Sequence, residues 1–380
     1  LSILIKMGAS LINVDAPTDD DVISHIEQAC LLPSSMRKTV LDFCQNRVDY
    51  ADFLMQYLAY QGRLDWNKER EMFSMKEGLP LGGEEVFWSH FETVFETIPN
   101  KPDALEALAV MVCCPEPVEQ LIVNAVSASG LQSLLQVGLM RQEERNIFFT
   151  FPEIKEGLVE WLRDQISCSQ IQKQIAGAWM ELSERWKLRY DLRIGRAWLL
   201  SGDANKALSF LLLAIRDARE QHRWKLVQNI ADLVQQAALK VESRVALVEA
   251  KLNMLEVSLA QHSFVDAKLQ LDELSQFRNL NHQAVARLAV LRAEFLVDQK
   301  NWVEANRELQ SAQKIFRDLL DLQGLARAFM RQGDLLFLLN RLEPAVDRFS
   351  QAMQLSSKDS LDWAESQARL IELRLRLGWT

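Results

Sequence analysis

Proline is almost missing from the second half of this 380-residue sequence: of its nine prolines, only Pro344 lies beyond Pro152. Proline removes a backbone donor and breaks helices, so residues after 152 are free to form nearly uninterrupted helix, whereas the first half is punctuated. Long apolar runs are missing too. None approaches the roughly 18 residues of a membrane-spanning helix, so no membrane segment is expected. Residues 1–5 are too short for a signal-peptide core, and an opening on Leu1 rather than Met reads as a piece of something longer. Cysteine is sparse and odd in number, five residues (Cys30, Cys44, Cys113, Cys114, Cys168) without metal-site spacing. Cys113 and Cys114 end the apolar segment AVMVCC, where buried free thiols are expected, and a reducing cytoplasm follows. The histidines (His25, His90, His222, His262, His282) have no ligand-spaced partner, so no metal or catalytic role is assigned to them. No Ser/His/Asp or Cys/His order suggests a nucleophile. A basic excess is also lacking: the net charge is -9, which gives no global attraction to nucleic acid.

What is present is helical punctuation, then repetition. Residues 1–8 (LSILIKMG) suit a short strand. Asp19, Asp20 and Asp21 look like a magnesium cluster on paper, but acidic residues at a helix start suit its dipole better. Another helix is expected to begin near Pro33, capped by Ser34 or Ser35. A further one, over 48–62, carries Phe53, Leu54, Tyr57 and Leu58 on one side and ends at Gly62. Residues 66–83 are polar and contain Gly and Pro, which reads as a linker or long loop. Helices follow over 84–98, 102–113, 117–128 and 131–137. A hairpin with strands over 137–140 and 146–151 comes next, and then a helix from Pro152. Helices closed by a two-stranded wing describe a winged-helix domain.

Beyond residue 166 one stretch organises the rest. Gly195, Trp198, Gly202, Ala207, Leu211 and Ala214 fall at offsets 0, 3, 7, 12, 16 and 19. These offsets resemble a tetratricopeptide (TPR) repeat, a helix–turn–helix unit of about 34 residues. Small Gly195 and Ala207 would let two helices approach, and Gly202 would make the turn. Such a hairpin needs neighbours to bury its apolar face. The offsets recur around Ala267, Ala305 and Ala345, weakest at the first. The interval of 60 from Ala207 to Ala267 demands an extra helix over 222–241 or a degenerate repeat. Trp179, Trp186 and Trp198 then read as core packing, and the helix over 361–377 as a solvated cap.

The junction carries a more specific resemblance. KQIAGAWMELSERWKLRYDLRIGRAWLLSGDANKALSFLLLAIRDA is similar to the link between winged helix and TPR array in STAND-type ATPases (signal-transduction ATPases with numerous domains). Ser201-Gly202-Asp203 and Lys206-Ala207-Leu208 stand where that family has A-G-D and K-A-L. GLQSLLQVGLM and FFTFPEIKEGLVEWL resemble the family's winged-helix segments. In this family such chains occur with bacterial Ser/Thr kinases, adenylate cyclases and maltose-activator-like transcription regulators. The resemblance implies a mainly α fold in three parts. Residues 1–66 would end a nucleotide-binding core with its helical lid, 84–165 would be the winged helix, and 166–380 a TPR-like α-solenoid. Three family features are absent. No G-x-x-x-x-G-K-[ST] loop occurs, so nothing cradles phosphates. Asn46-Arg47-Val48 replaces the lid's G-N-P-like turn, and Phe151 replaces the histidine of F-x-H. No cofactor is therefore expected in this chain, ATP or ADP being relevant only if a P-loop lies upstream.

Two surfaces invite binding. The would-be recognition helix, residues 127–136, has no Lys or Arg, so an interdomain role is favoured over DNA contact. The concave TPR face is the stronger candidate. By the repeat register its first helices present Arg189, Leu192, Arg196 and Leu199; Glu249, Leu252, Glu256 and Leu259; Arg287, Val290, Glu294 and Val297; and Arg327, Met330, Asp334 and Phe337. Charged residues alternate with apolar ones, which suits a groove for a protein or peptide. The same faces equally suit contact with the chain's own winged helix or with another subunit, so self-association stays open. The expected function is non-catalytic: a regulatory, partner-recognition region of a signalling protein. Its rivals are part of an ATP-driven switch and part of a transcription regulator.

Overall fold

The computed structural model describes residues 18–28, 30–44, 50–51, 54–55, 58–59, 63–67, 72–75, 83–115, 117–150, 154–358 and 360–378. The chain is mainly helical and divides into two compact units, Leu1–Ser167 and Cys168–Thr380. The strand expected over 1–8, Asn46-Arg47-Val48, Phe53, Tyr57, Gly62 and Phe151 lie outside the described residues.

In the first unit α1 (Asp19–Glu27) starts where its acidic turn predicts. Thr18 and Asp21 cap each other reciprocally, so the triple aspartate is a helix start. After β1 (Cys30–Leu31), α2 begins at Arg37, later than expected, and runs to Cys44 (Arg37–Cys44). The linker expected over 66–83 is a correction. It holds β2 (Leu64–Asn67) and β3 (Met72–Met75), an antiparallel pair with Trp66 opposite Phe73, and β1 joins β3 in parallel. The strands are only four residues each, and the charged stretch between them masks the alternation.

Next come α3 (Gly83–Glu96), α4 (Lys101–Cys113), β4 (Val118–Glu119) and α5 (Gln120–Gln136), then β5 (Met140–Glu143), β6 (Asn146–Phe149) and α6 (Ile154–Gln165). Trp88, Phe91 and Phe95 of α3 pack with Trp161 of α6, rings 5.3–6.2 Å from Trp161. Helix α4 crosses α5 at Gly130, where a Cβ would fall 1.9 Å from the Asp103 carbonyl oxygen. Ser127, at a break in the helical backbone of α5, donates its hydroxyl to the same carbonyl at 2.8 Å. The first hairpin strand begins at Met140 rather than Val137, because Gly138 (φ 75°) ends α5. β4, unforeseen, pairs with β6 to make a three-stranded sheet. Cys113 and Cys114 are half-buried rather than buried, since they sit at the frayed end of α4; Cys30 and Cys44 are buried.

The second unit is a TPR-like solenoid. Its helices are α7 (Cys168–Trp186), α8 (Asp191–Leu200), α9 (Ala204–Glu220), α10 (Trp224–Lys240), α11 (Arg244–Ala260), α12 (Phe264–Ser275), α13 (His282–Asp298), α14 (Trp302–Asp318), α15 (Leu322–Leu338), α16 (Leu342–Leu355) and α17 (Leu361–Leu377). The turns recur about every twenty residues. A left-handed residue sits at Gly202, His222, Glu242 and His262, then at Asn279, and again at Lys300, Leu320 and Asn340. The expected crossing exists, with one correction. A Cβ on Gly195 would meet Leu211 Cγ at 2.8 Å, so Gly195 faces Leu211 and not Ala207, which is buried one turn earlier. Gly333 meets the Phe349 ring in the same way, at 2.8 Å.

Helix α10 resolves the interval of 60. Trp224 and Val227 of α10 stand forty residues before Phe264 and Ala267, as large–small pairs that recur at Trp302 and Ala305 and at Leu342 and Ala345. Val227, wholly buried, replaces the alanine and hides the repeat. Capping alternates without a break. Side chains of Asp203, Ser243, Asn281, Asp321 and Ser360 accept from the backbone amides of α9, α11, α13, α15 and α17. No side chain caps α10, α12, α14 or α16. The capped helices form the inner row: α11 packs on α13, α13 on α15 and α15 on α17.

Candidate functional site

The inner row encloses a cavity of about 850 Å³ within the second unit. That lies in the 300–1,000 Å³ range typical of ligand pockets. Helices α9, α11, α13, α15 and α17 supply most of its wall. Because residues three, four and seven apart share a helix face, the wall is tiered. Glu249, Arg287 and Arg327 form a charged tier. Val290 and Met330 form an apolar one, and Glu256, Glu294 and Asp334 an acidic one.

Ion pairs stitch the tiers across helices. Arg287 donates to Glu249, to Glu256 at 2.7 Å and to the side-chain Oδ1 of Asn253 at 2.9 Å. Arg327 donates to Asp362 of α17 at 3.2 Å and lies 3.7 Å from Glu256. Arg331 donates to Glu294 at 2.6 Å and to Asp334 at 3.4 Å. The array closes on itself where His222, in the turn before α10, approaches Glu365 of α17 at 3.5 Å. Burial alone would raise the Glu256 carboxyl. Arg287, Arg219 and Arg327 outweigh it and hold it at about 2. The Glu294 carboxylate holds the Arg331 guanidinium above its ordinary range. Burial pushes Asp334 up, against Arg331 and Arg369.

Of the residues expected in the groove, Glu256, Arg287, Glu294, Arg327, Met330 and Asp334 line this cavity together, with Glu249, Leu259, Val290 and Val297. The others do not. Leu199 and Leu252 are buried in the core. Arg189 pairs with Asp191 and Asp217, and Arg196 is exposed away from the lining. Phe337 packs on the core under Arg369 and Arg376. On α8 the register thus points to the wrong face, because the second helix of that hairpin, α9, belongs to the inner row. Leu212, Arg216 and Arg219 of α9 line the cavity instead, with Arg331, Asp362 and Glu365 elsewhere. Counting forty back from Leu259 reaches Arg219, a signal the small-residue pattern overrode. Among the described residues no group of three His, Cys, Asp or Glu could hold a metal, and no helix is long and apolar enough to cross a membrane.

No protein-family model matches the sequence, and no curated protein does. A solved structure does resemble it in fold: a STAND protein (Signal Transduction ATPase with Numerous Domains) with a tetratricopeptide repeat sensor, from Pyrococcus horikoshii. The TM-score is 0.57 at 12% sequence identity, covering 98% of this chain and 52% of that one. The chain thus spans about half the length of that structure.

Proposed function

We propose that the chain is a regulatory, partner-recognition region of a STAND-type signalling protein, with the cavity of the second unit as its receptor. One observation carries this reading: a cavity of about 850 Å³ lined by alternating charged and apolar tiers, inside a fold shared with a protein whose name describes a TPR sensor. An occupant that bridged the inner helices would favour one arrangement of the solenoid over another, and that differential affinity is what regulation requires. The first unit would then relay the change, with 84–165 as a winged helix that serves as structure. The exposed residues of its α5, Asn124, Ala125, Ala128, Ser129, Gln132 and Gln136, carry no charge to neutralise phosphates. The chain has no phosphate loop, so by itself it would hold no ATP or ADP, and it would work in the cytoplasm. A second reading, part of an active ATP-driven switch, draws on the ATPase in the name of the solved structure, of which this chain covers about half.

A thermal-shift screen of metabolites and short peptides against the whole chain tests the receptor. At least one compound is expected to raise the melting temperature of the parent but not of Val290→Trp, in which the indole fills the cavity. A screen that stabilises neither protein, or both equally, rejects the reading.

A further inference from the structure

Among the arginines of the inner wall, Arg219 stands apart as half-buried and without a carboxylate, whereas Arg216 and Arg244, also without one, are exposed. Arg287, Arg327 and Arg331 each have at least one carboxylate within 3.2 Å. Arg219 has no hydrogen-bond or ion-pair partner among the described residues, and its Nε is fully buried without one. Its guanidinium nevertheless lines the cavity. Burial, with the Arg287 charge beside it, pulls it down to about 10. An arginine held against such a cost is a strong receptor for an incoming anion, since a charge-assisted, two-pronged bond would satisfy its donors.

The surroundings narrow the anion. Glu249 and Glu256 lie in the same charged cluster as Arg219, and both are already committed to Arg287. A ligand with two negative charges would meet these carboxylates at close range, whereas a single carboxylate matches the one guanidinium that is both unmet and buried at its Nε. Next to the charged tier the wall turns apolar at Val290 and Met330, which suits a hydrocarbon body.

We propose that the cavity receives a monocarboxylate on an apolar stem, with the carboxylate on Arg219 and the stem along Val290 and Met330. This rests on the receptor reading above and names its ligand class. Two sources carry that chemistry: a free organic acid, and the C-terminus of a peptide ending in an apolar residue.

Calorimetry on the whole chain distinguishes them. The probes are octanoate, octanol, octyl phosphate, and a tetrapeptide ending in leucine as free acid and as amide. Octanoate or the free-acid peptide is expected to bind at least tenfold more tightly than octanol, octyl phosphate or the amide. Tight octanoate identifies a free acid; a tight free-acid peptide with weak octanoate identifies a C-terminus. Arg219→Gln should lose at least tenfold in affinity and Arg219→Lys much less. Arg219→Gln should melt no lower than the parent, because it removes an unpartnered charge. Absence of binding by every carboxylate up to millimolar concentration overturns the proposal, as does equal binding of octanol or unchanged affinity in Arg219→Gln. The receptor reading survives such a failure if the thermal-shift screen still yields a compound that Val290→Trp excludes.

Discussion

The hairpin α8–α9 and the pair α15–α16 are built on the same crossing and turn opposite helices toward the cavity. In each, a glycine meets a residue sixteen positions on, Gly195 with Leu211 and Gly333 with Phe349. In the later pair the first helix supplies the lining, through Met330, Arg331 and Asp334. In the earlier hairpin the second does, through Leu212, Arg216 and Arg219. The crossing therefore sets how two helices approach and not which one faces inward. The inner row is marked by other features: a capped N-terminus and ion pairs that reach across helices.

The largest expected effect breaks the inner row itself. Glu256 is the carboxylate around which Arg287, Arg219 and Arg327 gather. Glu256→Ala leaves Arg287 with Glu249 alone and Arg327 with Asp362 alone, at a cost of up to about 3 kcal/mol. Hydrogen exchange should rise in α9, α11 and α13; unchanged exchange there would separate the row from its charges. The network also sets acid stability. The folded-state value of Glu256, about 2, lies below its ordinary 4.5. Its stabilisation is complete above the ordinary value and drains as pH falls toward about 2. Acid unfolding of the parent followed over that window should be steeper than that of Glu256→Ala.

A smaller effect sharpens the comparison at the two crossings. Gly195→Ala and Gly333→Ala should each cost about 1–3 kcal/mol by overpacking. A Cβ at 195 would also sit 3.1 Å from the Leu211 backbone nitrogen, whereas at 333 the three nearest atoms all belong to the Phe349 ring. Trimming the partner should therefore rescue 333 more than 195. Thermal denaturation of Gly333→Ala with Phe349→Leu, against Gly195→Ala with Leu211→Ala, measures the difference; equal rescue would mean that the two crossings are alike.

These crossings were the most legible part of the sequence, because a glycine opposite a large side chain leaves a fixed offset. The turns were not. Their left-handed residues are Gly202, His222, Glu242, His262, Asn279, Lys300, Leu320 and Asn340, too varied to show a period. The conformation is imposed by helices packed on one another, not chosen by the residue. For the cavity, the register reaches the lining on α11, α13 and α15, except at Leu252 and Phe337, and misses it on α8. Val227, standing where later repeats have alanine, concealed the beat that would have shifted it. In the first unit the strands β2 and β3 are too short, and too closely flanked by charged residues in the sequence, to show their alternation.

The smallest expected effect tests that account of the turns. Leu320 sits at φ 56° with its side chain 82% exposed. A left-handed L-residue costs about 1–2 kcal/mol, and glycine returns part of that in extra unfolded-state freedom. Leu320→Gly should therefore raise stability by about 0.5–1 kcal/mol. A loss on denaturant titration would show that leucine holds the turn by contact.

The twenty-residue spacing has a consequence for how such a chain can be inherited. Duplication or loss of forty residues adds or removes an inner and an outer helix together, and every later side chain keeps its side of the wall. Duplication or loss of twenty exchanges inside for outside for everything on one flank of the event. In the first hairpin the crossing motif follows one phase, and the capped, cavity-facing helix the other.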